Sequence, residues 1–215
     1  MKFFKLLRHL FYNKLARYIP FLRVFYETQF TQTPVTFSMW FLQKIIGINR
    51  KAYFPVHISS VVFGIKNIYA GIEVSPGKSP GCYIQGIGTV YIGDYTQIAP
   101  NVGIISANHD LYNNRKGVVS SVIIGKYCWI GMGAIILPGV RLGDNTIVGA
   151  GSIVTKSFPG GYCVIAGNPA KLVKSLDREK CVRHKSLFEY NGYIKASKFE
   201  QFVHDNLNSE LTKYC

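Results

Sequence analysis

His109 is the only histidine between Val62 and Val164, and this position makes it the first candidate for chemistry. An imidazole with an ordinary pKa of about 6.5 is mostly neutral at pH 7, so it can remove the proton of an attacking hydroxyl. Asn108 and Asp110 flank it, and each could orient the imidazole or that hydroxyl, or form a local turn instead. These residues predict general base catalysis, with a corner histidine that only caps a turn as the alternative.

Other catalytic and metal sites find little support in the sequence. The five cysteines lack CxxC or Cys/His spacing, which predicts a reduced cytoplasmic protein without structural zinc. Cys128 and Cys163 are expected to be small apolar fillers. No cysteine has an evident histidine partner, which favours direct group transfer over a covalent enzyme intermediate.

A hexapeptide repeat must position the candidate histidine. Ten six-residue units between Ile92 and Pro159 each open with Ile, Val or Leu, and the segment DLYNNRKG, Asp110–Gly117, is the only interruption. This period fits neither a helix nor an isolated amphipathic strand, but it fits short strands joined by tight corners. We therefore predict a β-solenoid with a triangular turn of about 18 residues. The residues expected inside are Ile92, Ile98, Ile104, Val118, Ile124, Ile130, Ile136, Leu142, Val148 and Val154.

The repeat divides the chain into three parts. Residues 1–53 form a basic, aromatic-rich segment, residues 54–174 form the repeat domain with its loop at 110–117, and residues 175–215 form a C-terminal extension. Upstream aliphatics share the register of the hexads, so irregular first coils are expected from Val56 onward. Mixed-charge helices around a turn at Asn191–Gly192 are predicted in the extension.

The first segment carries nine Lys or Arg and a single acid, Glu27. Apolar residues recur at helical spacing from Phe3 to Leu15, and Phe37–Gly47 predicts a second helix. Two interpretations stay open. The segment could dock on a membrane surface as an amphipathic helix, or it could cap the open end of the solenoid or pack in an oligomer.

Composition narrows the class of protein. The chain has 215 residues, a formal net charge of +14 and 48% hydrophobic residues, which is too apolar for a disordered chain. No uninterrupted apolar run approaches the roughly 18 residues of a membrane-spanning helix. The charge alone would suit nucleic acid, but no motif for binding it is present, so no nucleic-acid partner is expected.

Three segments carry a resemblance to a known family. WIGMGAIILPGV, IGDNTIVGAGSIVTK and AGNPAK, with the interruption after His109, resemble the hexapeptide-repeat acyltransferases. The similarity is greatest to the maltose, galactoside and nodulation-factor O-acetyltransferases and to the xenobiotic acetyltransferases. It covers Tyr91 to Lys174 well and the earlier coils loosely. The resemblance implies an all-β core, a left-handed parallel β-helix with helical appendages at both ends. It also implies a homotrimer with active sites between subunits, acetyl-CoA as acyl donor and no metal.

The same resemblance implies roles for individual residues. His109 would deprotonate the acceptor hydroxyl, and a backbone N–H would stabilise the oxyanion. Coenzyme A would lie along Met132, Ala150, Thr155, Lys156, Lys171 and Lys174. The family often has Arg where Lys171 and Lys174 stand, so a solvated basic rim is the alternative. Acceptor contacts are expected from Gln85, Asn108, Asp110 and Trp129, although Trp129 could serve packing alone.

These observations predict an acetyl-CoA-dependent O-acetyltransferase that acts on a sugar or polysaccharide precursor in the cytoplasm or at the inner face of the membrane. An N-acetyltransferase of amino sugars is equally compatible with the hexads, and a non-catalytic trimeric binding solenoid also remains open. A γ-class carbonic anhydrase would need three histidines on zinc, and the hexads contain only His109.

Overall fold

The computed structural model describes residues 16–214, so the predicted helix from Phe3 to Leu15 lies outside the described residues. The α-helices are α1 (Ala16–Tyr18), α2 (Arg23–Glu27), α3 (Phe37–Trp40) and α4 (Ala196–Asn206), and a π-helix spans Phe41–Ile46. Short 3-10 helices span Pro20–Leu22, Ile65–Asn67, Arg178–Lys180 and Ser209–Tyr214. The strands are β1 (Val61–Phe63), β2 (Ile68–Ala70), β3 (Tyr83–Gln85), β4 (Val90–Ile92), β5 (Gln97–Ile98), β6 (Gly103–Ile105), β7 (Ala107–His109), β8 (Gly117–Val119), β9 (Val122–Ile124), β10 (Trp129–Ile130), β11 (Ile135–Ile136), β12 (Arg141–Leu142), β13 (Thr146–Val148), β14 (Ile153–Val154), β15 (Cys163–Gly167), β16 (Ala170–Ser175), β17 (Tyr190–Asn191) and β18 (Ile194–Lys195).

Three parallel sheets form the walls of a triangular prism. Sheet A has the strand order β1-β3-β6-β11-β14, sheet B the order β2-β4-β9-β12, and sheet C the order β5-β10-β13-β15 with β16 added antiparallel. The chain visits the sheets in turn, and Ile135 pairs in register with Ile153, a separation of 18 residues. The predicted β-solenoid and its 18-residue turn are confirmed.

The prism interior is filled by two positions of each hexad. Eight of the ten first-position aliphatics are exposed by 2% or less: Ile92, Ile104, Ile124, Ile130, Ile136, Leu142, Val148 and Val154. The small fifth-position residues are buried as well: Thr96, Val102, Val122, Cys128, Ala134, Val140, Thr146 and Ser152. Ile98 is partly buried. The prediction for Val118 is wrong, because this residue lies in β8 outside the prism and is 48% exposed.

Residues 176–190, here called the return segment, run back along the corner between sheets B and C. Tyrosines at that corner fasten it: the Tyr127 hydroxyl donates to the His184 carbonyl at 3.0 Å, and the Tyr95 hydroxyl donates to Glu189 at 2.7 Å. Apart from the 3-10 helix Arg178–Lys180 and the start of β17, the segment has no regular secondary structure, so the predicted α-helices before the turn at Asn191–Gly192 are wrong. Tertiary hydrogen bonds decide its conformation there. The turn itself is confirmed, with β17 and β18 on either side and the α-helix α4 after it.

The two ends of the described chain meet at the first coil. Gln43 is buried, its Nε2 donates to the carbonyls of Ala52 and Phe54, and its Oε1 accepts from the Tyr193 hydroxyl. Glu27 accepts a hydrogen bond from the Tyr190 hydroxyl. The predicted helix over Phe37–Gly47 is confirmed as α3 followed by the π-helix. Residues 16–53 therefore pack on the first coil together with the β17–β18 hairpin.

Candidate active site

The predicted general base lies on a hairpin that leaves the prism between sheets A and B. Strands β7 and β8 pair antiparallel, and His109 stands opposite Gly117. A glycine at that place leaves no side chain beside the imidazole on the paired strand. His109 is exposed and accepts or donates no hydrogen bond with any residue of 16–214. The ring is therefore accessible to a substrate hydroxyl.

The tip of the hairpin is built by a local turn. Asp110 Oδ1 accepts from the backbone N–H of Tyr112 at 3.0 Å and of Asn113 at 2.8 Å. The backbone N–H of Asp110 donates to the Lys116 carbonyl and closes the loop. This geometry supports the local turn among the two alternatives for Asp110. Asn108 is exposed on the strand just before His109.

The root of the hairpin is anchored to the coil before it. Buried Ser106 donates its hydroxyl to the Gln85 carbonyl and accepts from the Gly88 N–H at 2.9 Å. The Gln85 side-chain oxygen accepts from the Ala107 N–H at 2.9 Å. Gln85 therefore holds the strand that carries His109. Sequence reasoning missed Ser106, whose signal is a hydroxyl in the last hexad before the interruption.

The predicted coenzyme residues form columns on two corners of the prism. Met132 and Ala150 lie at the corner that precedes sheet A, and the Gly151 N–H donates to the Met132 carbonyl at 2.8 Å. Thr155 and Lys156 follow β14, so they lie at the other edge of sheet A, the edge from which the hairpin departs. All four are exposed. Sheet A thus separates the two columns within one chain.

The remaining predicted residues lie on sheet C. Lys171 and Lys174 are exposed on β16, where they pair in register with Ala166 and Val164. Trp129 is 56% exposed on β10, so its indole is available to contact a ligand or a partner. One chain places Gln85 against the start of the strand that carries His109, and Met132 beside Ala150, but it does not gather all predicted residues into one cleft.

Two buried thiols of the coils are poor nucleophiles, and Lys126 is held in an ion pair. Burial raises the pKa of the Cys128 thiol to about 12 and also raises the pKa of Cys163, so neither is a nucleophile near neutral pH. The hydrogen bond to Asp94 raises the pKa of Lys126, which lies 2.7 Å from that carboxylate. Within residues 16–214 no group of three or more His, Cys, Asp or Glu could hold a metal ion.

No helix within the described range 16–214 combines the length and the apolar character needed to cross a bilayer. Exposed apolar side chains do occur on the helical segment from Phe37 to Ile46, among them Phe41 and Ile45.

Comparisons with known proteins agree with this architecture. The family model described as bacterial transferase hexapeptide (six repeats) matches residues 121–156. The galactoside O-acetyltransferase of Lactococcus lactis subsp. lactis (strain IL1403) is 31% identical over 159 residues, which cover 69% of this chain and 74% of that protein. The galactoside O-acetyltransferase of Escherichia coli (strain K12) is 42% identical over 97 residues, covering 43% of this chain and 47% of that protein.

A solved structure of an O-acetyltransferase also matches this fold. The crystal structure of a maltose O-acetyltransferase from Clostridium difficile 630 has a TM-score of 0.54 at 26% identity, covering 76% of this chain and 91% of that one. The chain spans about half the length of several of the curated relatives that it matches.

Proposed function

This chain belongs to the hexapeptide-repeat acetyltransferases, and we propose that it transfers the acetyl group of acetyl-CoA to a hydroxyl of a sugar or polysaccharide precursor. Its fold is the left-handed parallel β-helix of that family. The observation that carries the proposal is the exposed imidazole of His109 at the end of an anchored strand, beside a glycine. No other histidine lies between Val61 and Ser175.

The reaction follows from the properties of a neutral imidazole. His109 takes the proton of the acceptor hydroxyl while that oxygen attacks the thioester carbonyl. The tetrahedral oxyanion is stabilised by a backbone N–H donor. It collapses by breaking the carbon–sulfur bond, and the departing thiolate takes the proton from the imidazolium. The products are the acetyl ester and free coenzyme A thiol, and the base returns to its neutral form.

The donor set suits a long anionic coenzyme. Lys156, Lys171 and Lys174 are exposed cations that can neutralise its phosphates. Met132 and Ala150 are exposed, and backbone groups beside them would meet the pantetheine arm. The thioester of acetyl-CoA supplies the activated acyl group. Lysines act here as point charges, so binding should fall with rising salt concentration.

We place the complete site between copies of a homotrimer. Sheet A separates the Met132 and Ala150 column from the Thr155 and Lys156 column, so a groove that uses both columns requires a second copy. The outer face of sheet A also exposes apolar side chains of Val61, Phe63 and Tyr83, as expected of a surface that another chain covers.

We also place the protein in the cytoplasm, with a peripheral contact to the inner face of the membrane through its N-terminal segment. Exposed apolar residues between Phe37 and Ile46 and the nine bases of residues 1–53 support this contact. Sedimentation with vesicles of anionic and of neutral lipid tests it. Binding to anionic vesicles that is lost at high salt is expected, and equal recovery in the supernatant with both would refute it.

The acceptor is unspecified, so the first experiment uses the donor alone. Calorimetry with acetyl-CoA, with ATP as a polyphosphate control and light scattering for mass, should give about one selective site per chain of a trimer. Acceptor screening then compares wild type with His109→Ala, which should lose turnover by about 10²–10⁴-fold and keep the trimer. Binding matched by ATP, or near-wild-type turnover in His109→Ala, would defeat the assignment.

A further inference from the structure

The hairpin that carries His109 has little support of its own. Strands β7 and β8 pair with each other and with no further strand of the described chain. Residues 108–119 are all exposed or half-buried, so no core packs the hairpin from either side. A two-stranded hairpin is at best marginally stable in water by itself. Contacts at the root must therefore set the direction in which the strand leaves the prism.

The coil before the hairpin supplies those contacts through one residue in particular. The Gln85 main-chain carbonyl accepts from the Ser106 hydroxyl, and its side-chain Oε1 accepts from the Ala107 N–H at 2.9 Å. Ser106 and Ala107 are consecutive, so Gln85 fixes two adjacent residues at the start of β7. In a β-strand Ala107 and His109 point to the same side, about 7 Å apart along the strand.

We propose that Gln85 is a positioning residue, whose side-chain oxygen holds the Ala107 N–H and thereby fixes the direction of β7 and the place of the His109 imidazole. This inference rests on the proposed function only in its kinetic consequence. It differs from an acceptor contact, because the acting atom is Oε1 rather than the Nε2 donor, which has no partner among residues 16–214.

Two substitutions separate these roles. Gln85→Glu keeps an oxygen acceptor of the same reach and removes the amide donor. Gln85→Met keeps the length of the side chain and removes both. The control is Gln201→Met on the exposed surface of α4, where the amide contacts only Asp205.

The first measurement is amide hydrogen exchange, which requires no catalysis. Protection of the Ala107 amide, which donates to Gln85 Oε1, should fall by about tenfold in Gln85→Met and stay within about twofold in Gln85→Glu. The Val122 amide, bonded to the Thr89 carbonyl of the coil, should remain unchanged in both. The unfolding midpoint should also stay near that of wild type, because the hairpin contributes little to the core.

The second measurement is steady-state acetyl transfer. Gln85→Met should lower kcat by about 10- to 100-fold with the KM for acetyl-CoA nearly constant, because a misplaced base costs rate. Gln85→Glu should rescue most of that loss. Equal loss in both variants, with Ala107 still protected in Gln85→Glu, would overturn the inference in favour of an amide that binds the acceptor. Unchanged exchange in Gln85→Met would also overturn it. A wild type without transferase activity would remove the proposed function and leave the exchange result to decide the positioning role.

Discussion

The coils and the hairpin are both built from short strands, but these strands differ in their surroundings. Strand β10 of the coils pairs with β5 and β13, and its Ile130 is completely buried. Strand β7 pairs with β8 alone, and Leu111 at the tip is 94% exposed. The ladder of coils supplies rigidity, whereas the hairpin supplies access. The proposed base, His109, lies on the hairpin, which the coils anchor through Gln85.

The largest expected difference between the two regions is in core packing. Ile130→Ala removes a completely buried side chain inside the prism and should lower the free energy of unfolding by about 2–5 kcal/mol. Leu111→Ala on the exposed tip should change it by less than about 0.5 kcal/mol. Denaturant unfolding of both variants measures the difference. Similar losses would contradict the separation of the two regions.

A smaller difference in stability is expected when a glycine of the coils and a glycine of the hairpin are each replaced by alanine. A Cβ at Gly125 would lie 2.6 Å from both the backbone nitrogen and Oδ1 of Asp144 in the next coil, so Gly125→Ala should cost about 1–3 kcal/mol. A Cβ at Gly117 in the hairpin would meet no atom within 4 Å, so Gly117→Ala should leave stability nearly unchanged. The same unfolding assay compares them. A Gly125→Ala protein as stable as wild type would show that the coils can spread at little cost.

The smallest expected effect is the loss of stability at high pH in the segments that pack on the coils. Burial and the hydrogen bond to Glu27 raise the pKa of the Tyr190 phenol above its ordinary value of about 10. The folded state therefore holds this proton more tightly than the unfolded state does. This stabilisation is fully present below pH 10 and is lost as the pH rises above it.

The denaturant midpoint of wild type should accordingly decrease as the pH is raised from 10 to 11. Tyr190→Phe should lose about 1 kcal/mol of unfolding free energy at pH 8, and its midpoint should decrease less steeply over the same pH range. The exposed hairpin has no comparable buried phenol, and Tyr112→Phe at its tip is the control. Parallel curves for wild type and Tyr190→Phe would be inconsistent with a buried, proton-holding phenol.

The coils could be predicted from the sequence because the period of the repeat restricts the structures that the chain can form. A period of six with aliphatics such as Ile130 and Ile136 in the first position allows few arrangements other than stacked short strands. The prediction failed at Val118, because the hairpin arm continues the aliphatic pattern outside the prism. It also failed for the return segment, where the hydroxyls of Tyr95 and Tyr127 hold an irregular chain that the mixed-charge composition had suggested to be helical.

The site divides in the same way. The sequence alone showed that His109 lies beside the only interruption of the hexapeptide repeat. It also showed that few residues in the coils can act as a base. The hydrogen bond between Gln85 and Ala107 could not be predicted from the sequence, because it joins residues 22 positions apart whose proximity depends on how two coils stack. The turn that Asp110 forms with the backbone of Tyr112 and Asn113 likewise depends on the geometry of the loop.

The amino-acid sequence by itself determined the solenoid, the location of its interruption and the candidate base, because local periodicity and residue type are enough to specify them. The tertiary structure alone decided the path of the return segment, the packing of both termini on the first coil and the anchoring of the hairpin. Each of these depends on hydrogen bonds between groups distant in sequence, and only stacking of the coils brings such groups within bonding distance.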